Sequence, residues 1–320
     1  MKFWFFLPLI FWIGCSSAKK STNFVETPNL ATQLFSFPGS CSRGVLSPSG
    51  KRVAGICQPA NKTQGHQIYE FDLNSQTYRR LSWQDGQIGS VDWLTDDSVI
   101  YDSTTDELKE APFSGIEESK VGSEIYSSDR FGTKIDRLTE RPGRDSDVSS
   151  SRNNGGLLYV TDRGTSHLVF LRQADGTLQS ASPSSSNHKF APAAHGNEIA
   201  WLETDLKTKK ISLKIQGKPA PERWADRDLR ALRSLPTGWL LAEVHANQSG
   251  STAWFLSADL SCERPLWMGQ EILVFADASP STQQLLLTLE TPGLSRLSLK
   301  TLDPTAFACS TEQSSAKVIE

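Results

Sequence analysis

From about residue 36 onward, short apolar runs alternate with turn-forming stretches, and no window sustains a helical period. The clearest runs occupy 51–56, 98–101, 157–160, 198–202, 239–244 and 285–289. Their central residues, Ala54, Ile100, Leu158, Ala200, Leu241 and Leu286, are spaced by 46, 58, 42, 41 and 45 positions. Runs of this length between polar turns are half-buried strands, and each unit has room for about four of them. The pattern predicts an all-β chain: a six-bladed β-propeller of four-stranded antiparallel blades. The blades are expected at about 42–82, 88–139, 146–181, 188–216, 228–262 and 271–309.

Self-similarity supports this period. Gln67-Ile68-Tyr69-Glu70-Phe71-Asp72, with Arg80-Leu81-Ser82 after a polar turn, has a gapless counterpart 57 residues on. That counterpart is Glu124-Ile125-Tyr126-Ser127-Ser128-Asp129 with Arg137-Leu138-Thr139. Ser47-Pro48-Ser49 before the run at 53–56 returns as Ser279-Pro280-Ser281 before 285–287. Tyr69 and Tyr126 thus hold equivalent third-strand positions, and both rings are expected to be buried against a neighbouring blade. The long second spacing becomes an enlarged connection at 103–123 between second and third strands. Loops of that size are usually functional or disordered, and this one is expected to form part of a binding rim.

The blade repeat resembles that of the TolB-type six-bladed propellers. The resemblance lies in Ser47-Pro48-Ser49-Gly50-Lys51-Arg52-Val53-Ala54, in 67–73, in Arg79-Arg80-Leu81-Ser82, in 158–165 and in 167–171. It covers blades one to three; in blades four to six only the strand pattern and Ser279-Pro280-Ser281 carry it. Such a repeat implies a fold and leaves function open, because propellers serve as scaffolds, sensors and enzyme modules. TolB itself carries an N-terminal α/β domain, for which 16–35 leaves no room.

The N-terminus adds an address. Met1-Lys2, an apolar stretch at 3–14 and Cys15-Ser16-Ser17 read as an export signal, too short to span a bilayer stably. Gly14 before Cys15 resembles a bacterial lipobox, with Trp12 standing where Leu is usual, so Cys15 is the expected lipidation site, bearing palmitate-type acyl chains. The expected organisation is a signal peptide at 1–14, a lipidated tether at 15–35, the propeller at 36–310 and a tail at 311–320. Ser16 after the cysteine points to outer-membrane sorting, with the propeller facing the periplasm. Cleavage near Ser16 and Ala18, leaving a soluble periplasmic protein, is the alternative. Four further cysteines, Cys41, Cys57, Cys262 and Cys309, suit disulfides in an oxidising compartment. Cys41 and Cys57 flank the turn around Ser49 symmetrically, which favours Cys41–Cys57 with Cys262–Cys309. A Cys41–Cys309 staple between the chain ends is the rival.

Composition narrows the function. A formal net charge of −3 and the lack of basic runs argue against nucleic acid. No Gly-x-Ser-x-Gly elbow and no HExxH spacing occurs, so neither a catalytic residue nor a metal ligand nor a cofactor is assigned. His188 and His195 read as structural or solvated. In an up-and-down blade, first-to-second and third-to-fourth connections share one side of the disc, the hairpin face. Second-to-third connections and blade-to-blade crossings share the other, the crossing face. Binding residues concentrate on such loops, with aromatic and Arg side chains as anchors. Trp83, Glu107, Phe113, Arg163, His167, Trp224, His245 and Trp267, with the crossing at 141–144, are the expected partner contacts. These features favour a non-enzymatic envelope lipoprotein that holds a protein or peptidoglycan-associated partner. The alternative is an envelope hydrolase or lactonase with a metal at the propeller axis, for which Asp92, Asp147 and Asp277 are the scattered candidates.

Overall fold

The computed structural model describes residues 32–34, 37–60, 65–83, 86–104, 122–140, 143–151, 155–163, 166–219, 221–246, 249–291 and 294–309. Among them, alternating apolar positions form antiparallel strands grouped in six sheets, the six blades of a β-propeller. The first strand, β1 (Thr32–Leu34), is described with the last blade. Blade one is β2 (Gly39–Leu46), β3 (Arg52–Pro59), β4 (Gln67–Asp72) and β5 (Tyr78–Arg80). Blade two is β6 (Ile88–Thr95), β7 (Ser98–Ser103), β8 (Glu124–Asp129) and β9 (Ile135–Arg137). Blade three is β10 (Arg144–Ser151), β11 (Gly156–Asp162), β12 (His167–Arg172) and β13 (Leu178–Ser180). Blade four has three strands among the described residues, β14 (His188–His195), β15 (Glu198–Thr204) and β16 (Ile211–Ile215). Blade five is β17 (Asp228–Leu235), β18 (Gly238–Val244), β19 (Ser251–Ser257) and β20 (Glu263–Gly269). Blade six holds β21 (Ile272–Ser279), β22 (Gln284–Thr291) and β23 (Leu294–Thr301).

Blade six takes its fourth strand from the other end of the chain. β1 pairs antiparallel with β23, Thr32 opposite Lys300 and Leu34 opposite Ser298. Thr32–Leu34 lies inside the stretch expected as a tether; three residues are too few for an alternating pattern to show. Blade four departs differently. A 3-10 turn at Glu222–Trp224 occupies the place beside β16, with Lys218 N–H donating to the Ile215 carbonyl (3.1 Å) and Lys210 paired with Asp226 (2.8 Å). Trp224 turns fully inward there and packs with Leu213 and Ile215, so the edge of β16 is covered by an indole rather than by a strand.

The gapless repeat marks a joint that closes blades one and two and recurs in blade three. Ser82 Oγ accepts from Ile68 N–H (2.8 Å), and Thr139 Oγ1 accepts from Ile125 N–H (2.9 Å). The same hydroxyls donate to the Gln67 and Glu124 side chains, while Leu81 and Leu138 N–H groups bond the Ile68 and Ile125 carbonyls. Blade three repeats the joint with Ser182 and Val169 (2.8 Å). Tyr69 and Tyr126 are each only 7 % exposed, as the repeat implied.

All six innermost strands carry a β-bulge at the same place. Pairing with the second strand slips at Cys41/Arg43, Ile88/Val91, Ser146/Ser149, Phe190/Ala193, Leu229/Ala231 and Leu273/Phe275. A bulge bends its strand and frees backbone amides, and neighbouring blades use them. Asp102 accepts from Asp147 N–H (2.8 Å), Ser90 Oγ accepts from Val148 N–H (2.8 Å), and Asp147 accepts from Ala191 N–H. At the axis Arg233 of β17 forms two hydrogen bonds with Asp92 of β6 (2.8 Å each) and reaches Asp277 of β21 at 3.4 Å. Burial opposes the Arg233 charge, yet the two carboxylates outweigh it and raise its pKa. Arg43 of β2 bonds Asp147 of β10 (3.0 Å) and lies over the Phe275 ring at 4.4 Å.

The disulfides follow the favoured pairing. Cys41 and Cys57 are direct partners across the β2–β3 hairpin, and Cys262 is joined to Cys309. The second bond holds the C-terminal segment to blade five, where Arg264 donates to the Thr305 and Ala308 carbonyls (2.8 and 2.7 Å).

Three stability effects follow, each readable by urea unfolding. Tyr126→Ala should cost about 3–5 kcal/mol, the usual result of truncating a buried aromatic. Arg233→Met should cost a similar ~3–5 kcal/mol, because it strands two buried carboxylates. Replacing Cys262 and Cys309 by Ser should remove up to ~4 kcal/mol, by loop-closure entropy. A change well under ~1 kcal/mol at Arg233 would show that water already relieves those carboxylates.

Candidate functional site

Three neighbouring blades open a cleft of about 350 Å³ on the crossing face. Its walls come from the N-terminal ends of β6, β10 and β14 and from the crossing-face ends of β7, β11 and β12. Blade two contributes Gly89 and Asp102, blade three Arg144, Ser146, Asp147, Val160, Asp162 and His167, and blade four His188, Lys189 and Phe190. The inner-strand bulges between Ile88 and Val91, Ser146 and Ser149, and Phe190 and Ala193 lie at this depth, so the cleft borders the distortion that joins the blades.

Part of this lining is already engaged. Asp102 accepts four hydrogen bonds, from Gly89 N–H (2.7 Å), Ser90 N–H (2.8 Å), Ser90 Oγ (2.6 Å) and Asp147 N–H (2.8 Å). Burial pushes its carboxyl up against these donors. Lys189 is buried; its ammonium lies 3.4 Å from Glu203, donates to the His167 carbonyl (3.1 Å) and bonds Ser185. Burial pulls its pKa down, and the Glu203 charge opposes that pull. Burial alone would raise the Glu203 carboxyl, but the Asn187 amide and the Lys189 ammonium hold it below its usual value.

The rest of the lining is open. The Arg144 side chain makes no hydrogen bond or ion pair among the described residues and is exposed. His167 is 9 % exposed, its buried Nδ1 has no hydrogen-bond partner among the described residues, and its Nε2 stands 3.9 Å from Asp162 Oδ1. His188 lies edge-on to His167 (ring centroids 5.4 Å apart) and stacks on Phe190 (5.9 Å). Burial, then the His167 and Arg144 charges, lower the His188 pKa, while Asp147 and Asp162 pull the other way. The His188 ring is thus held toward its neutral form, with one donor and one acceptor nitrogen, beside the Arg144 guanidinium.

The expected contacts fare unequally. His167 reaches the cleft. Arg163 sits beside it but is clamped, donating to fully buried Asp145 (2.8 Å). Gly143, at φ +117°, makes room for that clamp, since a Cβ there would lie 2.4 Å from the Arg163 guanidinium. His245 bonds Thr252 (2.8 Å) on blade five, away from the cleft. Trp83 is 70 % exposed between blades one and two, with Arg80 stacked on it at 4.4 Å. Trp224 and Trp267 must be withdrawn as partner contacts: at 0 % and 6 % exposed, both lie in the hydrophobic core. Trp267 sits within β20 rather than on a crossing, and Trp224 fills blade four. Cys15, Glu107 and Phe113 lie outside the described residues, as does most of the enlarged connection. Its described ends are tied nearby, Thr104 N–H to the Gln87 carbonyl (3.2 Å) and Ser123 to Asp145 through two hydrogen bonds (2.7 Å each). His188, read from sequence as structural or solvated, turns out to line the cleft. Among the described residues, no group of three or more His, Cys, Asp or Glu side chains is placed to hold a metal.

No family model matches the sequence, and no curated protein matches it. Solved structures do. The Pyrococcus horikoshii acylaminoacyl peptidase matches at 15 % identity with a TM-score of 0.50, over 81 % of this chain and 43 % of the peptidase. An oligogalacturonate lyase from Vibrio parahaemolyticus matches at 10 % identity and 0.52, covering 83 % and 79 %. TolB from Acinetobacter baumannii matches at 15 % identity and 0.42, covering 82 % and 55 %. The chain therefore spans less than half the length of the peptidase. At these identities what is shared with the peptidase and the lyase is the β-propeller fold, and fold alone leaves function open.

Proposed function

We propose that this protein is a non-enzymatic binding module of the bacterial envelope, anchored by a lipid on Cys15, that holds a protein or peptidoglycan-associated partner on its crossing face. The observation that carries this reading is the cleft among blades two, three and four, where Arg144, His167 and His188 converge and where the buried His167 Nδ1 has no partner among the described residues. The state of the axis supports it too. The carboxylates considered for an axial metal are engaged by arginines, Asp92 and Asp277 by Arg233 and Asp147 by Arg43. A cation entering there would have to displace a guanidinium from a buried pair.

Topology supports an anchored arrangement. β1 runs beside β23 with Thr32 next to Lys300, at the hairpin-face end of the blade. The chain thus enters the propeller from the hairpin face, opposite the cleft. The 17 residues from Cys15 to Thr32 reach at most roughly 60 Å when extended. A lipid on Cys15 would hold the hairpin face toward the membrane and turn the cleft away from it.

Two experiments test this reading. Cys15→Ala should move the protein from the membrane to the soluble fraction, since stable anchoring depends on its acyl chains; unchanged fractionation would defeat the anchor. In pull-downs from envelope extract, Arg144→Glu with His188→Glu should abolish capture, whereas Phe131→Ala on the hairpin face should not. A stoichiometric Ca²⁺ or Zn²⁺ in the purified protein would instead favour the hydrolase or lactonase.

A further inference from the structure

The cleft has a chemical preference that can be read from its charges. Arg144 and His188 are the first residues of neighbouring inner strands, β10 and β14, so they stand side by side on the rim. Arg144 is close enough for its charge to act on the His188 ring. Behind them His167 buries an Nδ1 that has no hydrogen-bond partner among the described residues. An unsatisfied buried ring nitrogen is costly, and a polar ligand group that meets it recovers that cost. Phe190 and Val160 add an apolar flank, and Ser146 a hydroxyl.

We propose that this cleft binds a carboxylate carried on a small, partly apolar group, held by the Arg144 guanidinium with the His188 and His167 rings as neighbouring hydrogen-bond partners. This assignment rests on the crossing-face binding reading and specifies its ligand. A planar guanidinium fork matches a carboxylate with two parallel hydrogen bonds. Phosphate has the same match but fits less well here. Asp102, Asp147 and Asp162 line the same cleft, so a dianion meets more repulsion than a monoanion. The carboxylate can be a peptide C-terminus or an acidic side chain. Both present the same group to Arg144, and they differ in what flanks it.

The test follows the His167 and His188 imidazole signals by NMR in the full propeller, assigned with His188→Asn. Three probes are added: N-acetyl-phenylalanine, its neutral amide, and N-acetyl-glutamate blocked as the α-amide. The expected result is a saturable shift of both signals by at least one carboxylate, with a dissociation constant on the order of 1 mM, and no shift by the neutral amide. Binding of the phenylalanine acid assigns a peptide C-terminus; binding of the glutamate probe assigns a side chain. Arg144→Gln should weaken binding about tenfold or more, and Arg144→Lys should restore part of it. The Arg144 side chain is exposed and has no partner among the described residues, so neither variant should disturb folding. Shifts by neither carboxylate, equal shifts by the amide, or unchanged affinity in Arg144→Gln would overturn the assignment. If the carboxylates fail while envelope capture still depends on Arg144, the crossing-face reading survives and the carboxylate assignment alone falls.

Discussion

A single guanidinium ties this disc across its centre. Arg233 reaches from blade five to Asp92 on blade two and to Asp277 on blade six, and all three side chains are buried. Asp92 in turn accepts from Ser150 of blade three (2.7 Å), and Asp277 accepts from Leu46 N–H of blade one (2.8 Å). Five of the six innermost strands thus meet through two carboxylates and one arginine. Buried ion pairs rarely gain much net stability over apolar packing, but a broken one is strongly destabilising. Their role here is one of register: only one angular arrangement of the blades satisfies all these groups together.

The bulges connect that constraint to the cleft. Inner strands crowd toward the axis, and a slip in pairing bends each one while exposing amides that the flanking blade can bond. Such amides of blade three go to Asp102 and Ser90 of blade two, and one of blade four goes to Asp147 of blade three. The strand ends beyond the bulges are left apart, with Arg144 and His188 at their tips. Blade joints and cleft therefore lie side by side, and substitutions near the bulges should move both.

The repeat arrangement was legible because it is local. Ser82 and Thr139 sit at fixed offsets from the strands they bond, so a gapless match could reveal the joint, and the burial of Tyr69 and Tyr126 came with it. The Cys41–Cys57 bond was legible for the same reason, as both residues belong to one hairpin. Long-range partners were not. Alternation showed that Asp92 and Asp277 could point toward the axis, but nothing in it says that Arg233, 141 residues from Asp92, stands across from it. Trp224 was misread because a crossing was assumed where blade four has three strands among the described residues and a large side chain covers its edge. His188 carries no motif; it matters through its place at a strand tip beside Arg144, which appears only once blades three and four are side by side.

The central claim is that the protein binds through the crossing face at blades two to four and leaves the hairpin face toward its anchor. Hydrogen–deuterium exchange of the full chain, with and without its captured envelope partner, tests this most directly. The account predicts new protection at 143–147, 160–163, 166–168 and 188–190, with no change at the hairpin turns 47–51 and 130–134. Protection of those hairpin turns with the cleft unchanged would contradict it.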